Sequence, residues 1–199
     1  MAEAALNRWN PYVQGLFAPA AKEVTARDLP VIGEIPRDLN GAYFRNGPNP
    51  KSPPQGMHHW FDGEGMVHGV WFEDGRARYA NRYVRTADFL AEAKGAEAMP
   101  GIFERSRDVA GRPTVYRDTA NTDIVVHNGR LLALWYISGQ PVALDLDTLE
   151  TVRTETFGGK LPKNVSAHSK VDPVTGEFVF FDYALYEAKM SFGTVSAEG

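Results

Sequence analysis

The strongest constraint on the fold is a series of short apolar segments joined by tight two-residue turns. Asp74-Gly75 and Asn128-Gly129 each separate two apolar-rich runs, and polar and apolar residues alternate in the return strand at 76–84. Such dipeptides favour β-hairpins, and the alternation indicates strands with one packed face. The hairpins recur roughly every 40 to 50 residues, which matches the blade period of a β-propeller better than a sandwich, although no sequence repeat accompanies it. The chain is therefore predicted to be all-β.

Two segments depart from the strand pattern. Residues 1–30, which include Pro11 and Pro19, are predicted to form an extended arm packed on the rest of the chain, and a short proline-bounded strand is predicted at 29–36. At about 86–96 the pattern is helical, with Thr86 as N-cap and Gly95 as the stop. This helix is predicted to be an insertion between strands.

The number of strands suggests an incomplete ring. A propeller needs about four blades of four strands, whereas the pattern supplies about ten strands. The pattern therefore predicts that residues 1–199 hold only part of one β-propeller domain.

Composition excludes several function classes. Lys and Arg number 21 against 25 Asp and Glu, without a basic stripe, so no nucleic-acid partner is expected. The absence of cysteine excludes disulfides, thiolate catalysis and iron–sulfur clusters. The first residues lack a basic segment followed by an apolar one, and no run approaches the roughly 18 apolar residues of a membrane span. A cytoplasmic location is expected.

Any metal must therefore be held by histidine, carboxylate or backbone oxygen. His58 and His59 are adjacent, so a strand would point them to opposite faces; His68 is expected to be a hydrogen-bonded structural residue, and His127 to be exposed beside its hairpin turn. His168 opens a short strand that leads into an Asp-Pro-Val-Thr-Gly turn, a rigid way to hold a nitrogen ligand. No His-x-x-His partner lies near it, so spacing alone leaves a structural role and a ligand role open.

Four stretches carry further motifs. They are Gly-Ala-Tyr-Phe-Arg-Asn-Gly-Pro-Asn-Pro at 41–50, Trp-Phe-Asp-Gly-Glu-Gly-Met-Val-His at 60–68, Ala-Asn-Thr at 120–122 with Leu-Leu-Ala-Leu at 131–134, and Ser-Ala-His-Ser-Lys-Val-Asp-Pro-Val-Thr-Gly-Glu at 166–177. In this order, and across essentially the whole chain, they resemble the carotenoid cleavage oxygenase family, which includes carotenoid, apocarotenoid and lignostilbene dioxygenases.

The resemblance implies a seven-bladed β-propeller with a helical cap and a non-haem Fe(II) on its axis, bound by four histidines. It also implies O₂-dependent cleavage of a C=C bond in a carotenoid, apocarotenoid or stilbene-like substrate, giving two carbonyl products. His168 matches the first ligand position, and none of the other four histidines matches a ligand. Family members are more than twice this long and carry the other three ligands in later blades, so the resemblance implies an N-terminal fragment of about half or less.

The resemblance also bears on the substrate. Many stilbene-cleaving members carry a lysine directly after the segment that matches residues 131–134, where this chain has Trp135. An indole cannot make the ammonium-to-phenolate contact, which argues against a hydroxystilbene. Trp60 and Phe103 would line an apolar tunnel or serve as ordinary core.

Two alternatives from other classes stay open. In the first alternative, the chain is a truncated, non-catalytic propeller remnant or binding module, with unpaired blade edges that favour association. A zinc hydrolase would use His58, His59 and His68, which lack both ligand spacing and a positioned base.

Several relatives take lipophilic substrates from membranes, which implies peripheral membrane contact, although no amphipathic helix with a basic face is visible. The oligomeric state is left open.

Overall fold

The fold is a row of antiparallel β-sheets. The computed structural model describes residues 10–52, 58–95, 117–137, 139–161, 164–183 and 189–199. These residues contain eleven β-strands in three sheets and a single α-helix. The all-β prediction is confirmed. No helix in these ranges is long and apolar enough to cross a membrane.

The first sheet combines a three-stranded meander with a strand from the N-terminal arm. Its strands are β1 (Val24–Ala26), β2 (Gly41–Pro48), β3 (Gly65–Glu73) and β4 (Arg76–Tyr83), in the spatial order β1-β4-β3-β2. The β3–β4 turn has the predicted hairpin form, because Asp74 and Gly75 both have left-handed φ values, 44° and 75°. Strand β1 covers the outer edge of β4, with Val24 opposite Asn81.

The second sheet is a meander that follows chain order. Its strands are β5 (Asp123–His127), β6 (Arg130–Leu134), β7 (Val142–Leu144) and β8 (Thr151–Thr154). Successive residues of β6 point to opposite faces, so Leu131 packs in the core shared with the first sheet and Leu132 in the core shared with the third. This explains why the run at 131–134 is continuously apolar: the sheet is buried on both faces.

The third sheet has one buried and one open face. Its strands are β9 (Lys170–Val171), β10 (Phe178–Tyr183) and β11 (Met190–Val195), in the order β11-β10-β9. Phe178 is fully buried against the second sheet. On the opposite face Met190 is 64% exposed and Phe192 83% exposed. The three-sheet stack therefore ends in an apolar surface.

The sheets are arranged like propeller blades around a common side. Strand β2 contacts β5, and β5 contacts β9, so the first strand of each meander lies at the same inner edge. We call β2, β5 and β9 the inner strands. In a propeller the blades surround a central channel, so these strands border the region where that axis would lie.

The structure differs from expectation in the N-terminal arm. Two 3-10 helices interrupt the predicted extended arm, at Pro11–Val13 and Gly15–Phe17, and Asn10 Oδ1 accepts the Tyr12 N–H at 2.9 Å at the start of the first. No strand forms at 29–36, where the prolines lack the N–H groups that a ladder needs. Residues 1–9 of the arm lie outside the described ranges.

The helix lies within the segment where the pattern is helical. Helix α1 spans Ala87–Ala93, and the Thr86 hydroxyl accepts the Phe89 N–H at 3.1 Å. Its last residue is followed by Lys94 and Gly95, and Gly95 has a φ of 92°. Glycine adopts this left-handed conformation without strain, which explains the stop.

Candidate metal site

His168 lies in a turn that connects the second sheet to the inner strand β9. Just before it, Ser166 forms an isolated bridge with Trp135, and the Ala167 N–H donates to the Trp135 carbonyl at 2.8 Å. Ala167 and Ser169 are buried, whereas His168 is exposed. The turn is therefore firmly anchored on both sides of an outward-facing imidazole.

The backbone of His168 is strained. Its φ is 72°, in the left-handed region that non-glycine residues rarely occupy. Such a conformation costs about 1–3 kcal/mol and persists only where the surroundings impose it. Here the constraint is a hydrogen bond, in which the His168 N–H donates to Asp123 Oδ2 at 2.8 Å.

Asp123 connects His168 to the other inner strands. Its Oδ1 accepts the Ile124 N–H at 2.9 Å, and its backbone carbonyl accepts a 3.1 Å hydrogen bond from Asn46 Nδ2. Asn46 lies on β2, Asp123 begins β5, and His168 directly precedes β9. We call this chain of contacts the Asn46–Asp123–His168 bracket. Asn46 and Asp123 carry no local sequence signal for this role, because only the fold brings the three inner strands together.

The ring of His168 is available as a ligand. Within the ranges that the structure describes, neither of its ring nitrogens makes a hydrogen bond. A neutral imidazole with a free nitrogen is a suitable ligand for Fe(II) and other first-row metals. The residue therefore fits the metal-ligand role predicted for it.

The other four histidines are placed differently. His68 has the expected structural role: its Nδ1 lies 2.7 Å from the Tyr79 hydroxyl, and burial, followed by the charge of Arg45, lowers its pKa to about 4. His59 caps the 3-10 helix Trp60–Asp62, and burial lowers the pKa of His58. The prediction that His127 is exposed was wrong. It is 4% exposed, because its Nε2 donates to the Ser196 carbonyl and its ring packs near Phe178.

The described residues supply one candidate ligand and not a complete metal site. Among them, no three His, Asp or Glu side chains lie close enough to hold an ion. His58, His59 and His68 therefore do not form a zinc centre. A metal at His168 would need its remaining ligands from outside the described residues.

Asp118 lies near the bridge that anchors the His168 turn. It accepts the Ala120 and Gln140 N–H groups, both at 3.1 Å, and a Cβ on Gly139 would lie 2.2 Å from its Oδ2. Burial raises the pKa of Asp118 to about 7, and the charge of Asp88 adds to the rise. Gly139 pairs with Val165, so this carboxyl helps to fix the entry to the turn.

Aromatic rings lead from the N-terminal segment toward the same turn. Trp60 is 39% exposed; its ring centroid lies 4.7 Å from that of Phe17 and 6.3 Å from that of Phe61. Phe61 in turn lies 5.1 Å from Tyr136, the neighbour of Trp135. We call Phe17, Trp60, Phe61 and Tyr136 the aromatic row. Tunnel lining by Trp60 stays a prediction, and Phe103 lies outside the described residues.

Comparison with known proteins finds oxygenases among the relatives of this chain. A family model described as retinal pigment epithelial membrane protein matches residues 17–199. The chain is 40% identical over 194 residues to a carotenoid cleavage oxygenase of Mycobacterium tuberculosis, covering 96% of this chain and 37% of that protein. It is 42% identical over 175 residues to resveratrol cleavage oxygenase 1 of Aspergillus fumigatus, covering 87% of this chain and 35% of that protein.

The fold also matches a solved structure. The Pseudomonas brassicacearum lignostilbene dioxygenase superposes with a TM-score of 0.85 at 31% identity, covering 96% of this chain and 41% of that one. The chain thus spans about two fifths or less of the length of these relatives.

Proposed function

Because the chain belongs to the retinal pigment epithelial membrane protein family, which includes the carotenoid cleavage oxygenases, we propose that it is part of a non-haem Fe(II) dioxygenase. The reaction is O₂-dependent cleavage of a substrate C=C bond into two carbonyl products. An iron ion held by His168 together with ligands from outside the described residues would supply the activation of O₂. The contribution of this chain is to hold one metal-ligating imidazole and part of an apolar substrate path.

The observation that carries the proposal is the conformation of His168. A histidine with a φ of 72°, anchored through Asp123 and exposing a ring without hydrogen bonds, is expensive to maintain without a function. Its place at the inner edge of the sheets is where ligands from several blades would converge. This supports His168 as one of several imidazole ligands of Fe(II).

The aromatic row supports the proposed substrate class. Its rings offer an apolar path suited to a polyene or an aryl alkene, because aromatic side chains bury large apolar areas and stack on planar groups. Trp135 stands where a lysine would contact a phenolate, and it is 4% exposed. We propose a carotenoid, an apocarotenoid or a stilbene-like alkene whose binding does not depend on a phenolate.

The activity belongs to a polypeptide that also provides the remaining ligands. The relatives above are more than twice as long as the part that this chain matches, so their remaining length would supply further blades. The alternative is a non-catalytic remnant or binding module. The exposed face with Met190 and Phe192 favours it, because such a face is prone to association.

Metal analysis separates the proposed oxygenase from the non-catalytic alternative. We would load the 199-residue chain, and the product of any longer reading frame that contains it, with Fe(II) under anaerobic conditions and measure bound iron. We expect about one iron per longer polypeptide and much weaker binding by the chain alone, since each lost ligand removes affinity. Absence of iron from the longer product would support the non-catalytic reading.

A pair of variants tests the ligand role directly. His168→Asn removes the imidazole but keeps a residue that tolerates left-handed φ, so the turn should survive. His59→Asn is the matched control, because asparagine is also a good N-cap. We expect iron content to fall in the first and not in the second. Equal iron in both variants and the parent would remove His168 from the site.

A further inference from the structure

We infer that Asp123 is a positioning residue whose carboxylate imposes the left-handed backbone of His168 and thereby sets the direction of its imidazole. The inference rests on the proposed function, because it concerns His168 as a metal ligand. It assigns a role to the Asn46–Asp123–His168 bracket, which otherwise looks like one more polar contact between sheets.

Both oxygens of the Asp123 carboxylate are occupied by backbone donors. Oδ2 accepts the His168 N–H at 2.8 Å and Oδ1 the Ile124 N–H at 2.9 Å. These two contacts fix the rotation of the carboxylate, because turning it would break both. Hydrogen bonds to an ionised acceptor are stronger than neutral ones, so this contact can hold a strained backbone.

Asn46 fixes Asp123 from the other side. Its Nδ2 donates to the carbonyls of Asp123 at 3.1 Å and of Ala120 at 2.7 Å, while its Oδ1 accepts the Gly47 N–H. Strand β2 thus fixes the backbone position at the start of β5, and β5 fixes the turn that precedes β9. An imidazole placed in this way keeps its position relative to all three sheets.

The geometry requires that both terminal side-chain atoms of residue 123 accept a hydrogen bond. The direction of Cβ follows from the backbone angles, so a return of His168 to a right-handed φ would swing the ring away from its present direction. Asparagine is nearly isosteric with aspartate, but one of its two terminal groups is a donor. In Asp123→Asn, the amide must therefore face one of two N–H groups, and one contact is lost.

The test uses Co(II) as a spectroscopic probe in the longer polypeptide that carries this chain. We would measure the visible absorption spectrum of bound Co(II), its release rate into excess chelator, and the midpoint of thermal unfolding. For Asp123→Asn we expect a shifted spectrum and Co(II) release about 10-fold faster or more, since partners that orient a ligand typically change metal affinity by that factor.

Asp172 offers a matched control. Its Oδ1 also accepts two backbone N–H groups, from Val174 at 2.7 Å and Thr175 at 2.9 Å, but in the turn that leads away from the site. Asp172→Asn keeps an amide oxygen that can accept both N–H groups, so it should leave the Co(II) spectrum and release rate unchanged. If both variants alter Co(II) release equally, Asp123 is only structural and the inference is wrong.

Two further variants keep the result decisive. If Asp123→Asn does not fold, Asp123→Ser retains a short acceptor and should release Co(II) faster than the parent; parent-like release would overturn the inference. His168→Asn separates the two proposals. Unchanged Co(II) content in that variant contradicts the proposed ligand, whereas reduced content together with parent-like release in the Asp123 variants contradicts the positioning role alone.

Discussion

The buried amide of Asn121 gives a sharp test of how the sheets are joined. Asn121 is 1% exposed, and its Nδ2 donates to the carbonyls of Phe61 and Gly63, both at 2.7 Å. Its Oδ1 accepts the Thr122 hydroxyl at 2.9 Å. One amide therefore satisfies two carbonyls of the glycine-rich turn that carries part of the aromatic row.

The cost of removing this amide can be worked from these contacts. A buried polar group left unpaired costs about 1–3 kcal/mol. The Gly63 carbonyl belongs to a buried residue, so its loss of a donor should carry the full cost. Phe61 is partly exposed, so a water molecule can donate to its carbonyl and reduce the cost there. With the small cavity added, Asn121→Ala should lower the free energy of unfolding by about 2–4 kcal/mol.

Asn121→Asp should be worse than alanine at pH 7, because a carboxylate would face two carbonyl oxygens. The excess should shrink at acidic pH, where a protonated carboxyl can donate to one of them. The assay is urea unfolding followed by tryptophan fluorescence at both pH values. Asn40→Ala is the control: its contacts are exposed and 3.3 Å or longer, so its effect should stay within about 0.5 kcal/mol.

An Asn121→Ala effect below about 1 kcal/mol would contradict this expectation, because two unpaired buried carbonyls should cost more than that. An aspartate variant as stable as the alanine variant at pH 7 would refute the assigned orientation of the amide.

Three further predictions concern stability. The depressed pKa of His68, about 4 against 6.5, means that the unfolded chain binds more protons between these values, so stability should fall as pH drops through this window. From pH 7 to 5 the loss is at most about 2 kcal/mol, and about 1 after discounting for partial exposure; a His68→Gln variant unfolded in urea at both pH values should lose less. Phe178→Ala should cost about 3–5 kcal/mol in the same assay, and a value near 1 would mean that the core collapses around the gap. Gly65→Ala should lower the thermal midpoint, since its Cβ would lie 2.6 Å from the Ala120 carbonyl, whereas Gly47→Ala meets nothing within 4 Å and should not.

Local signals predicted the parts of this fold that local chemistry decides. The hairpins at Asp74-Gly75 and Asn128-Gly129 formed because both residues of each turn adopt left-handed φ values, which these residue types tolerate. The hydroxyl of Thr86 caps α1 for an equally local reason. The burial of His127 was missed because it depends on Ser196, a residue 69 positions away.

The candidate site likewise combines a feature that adjacent residues predict with one that depends on distant residues. His168 was singled out from its turn and its surrounding motif, and both are features of the adjacent sequence. Nothing in the sequence around Asp123 distinguishes it from any polar residue that opens a strand. Its role depends on an aspartate, an asparagine and a histidine meeting from three sheets, separated by 45 residues in one case and 77 in the other. Such a contact becomes visible only when the fold is known.

The pairing of β1 with β4 has a consequence for how the protein is made. Val24 and Asn81 are hydrogen-bonded partners separated by 57 residues. During translation at about 5–20 residues per second, the arm leaves the ribosome about 3–11 seconds before its partner strand exists. The second and third sheets, by contrast, are built from strands that emerge one after another. The first sheet is therefore completed by the strand that is synthesised first, and Val24–Ala26 stays an unpaired edge-forming segment until β4 has emerged.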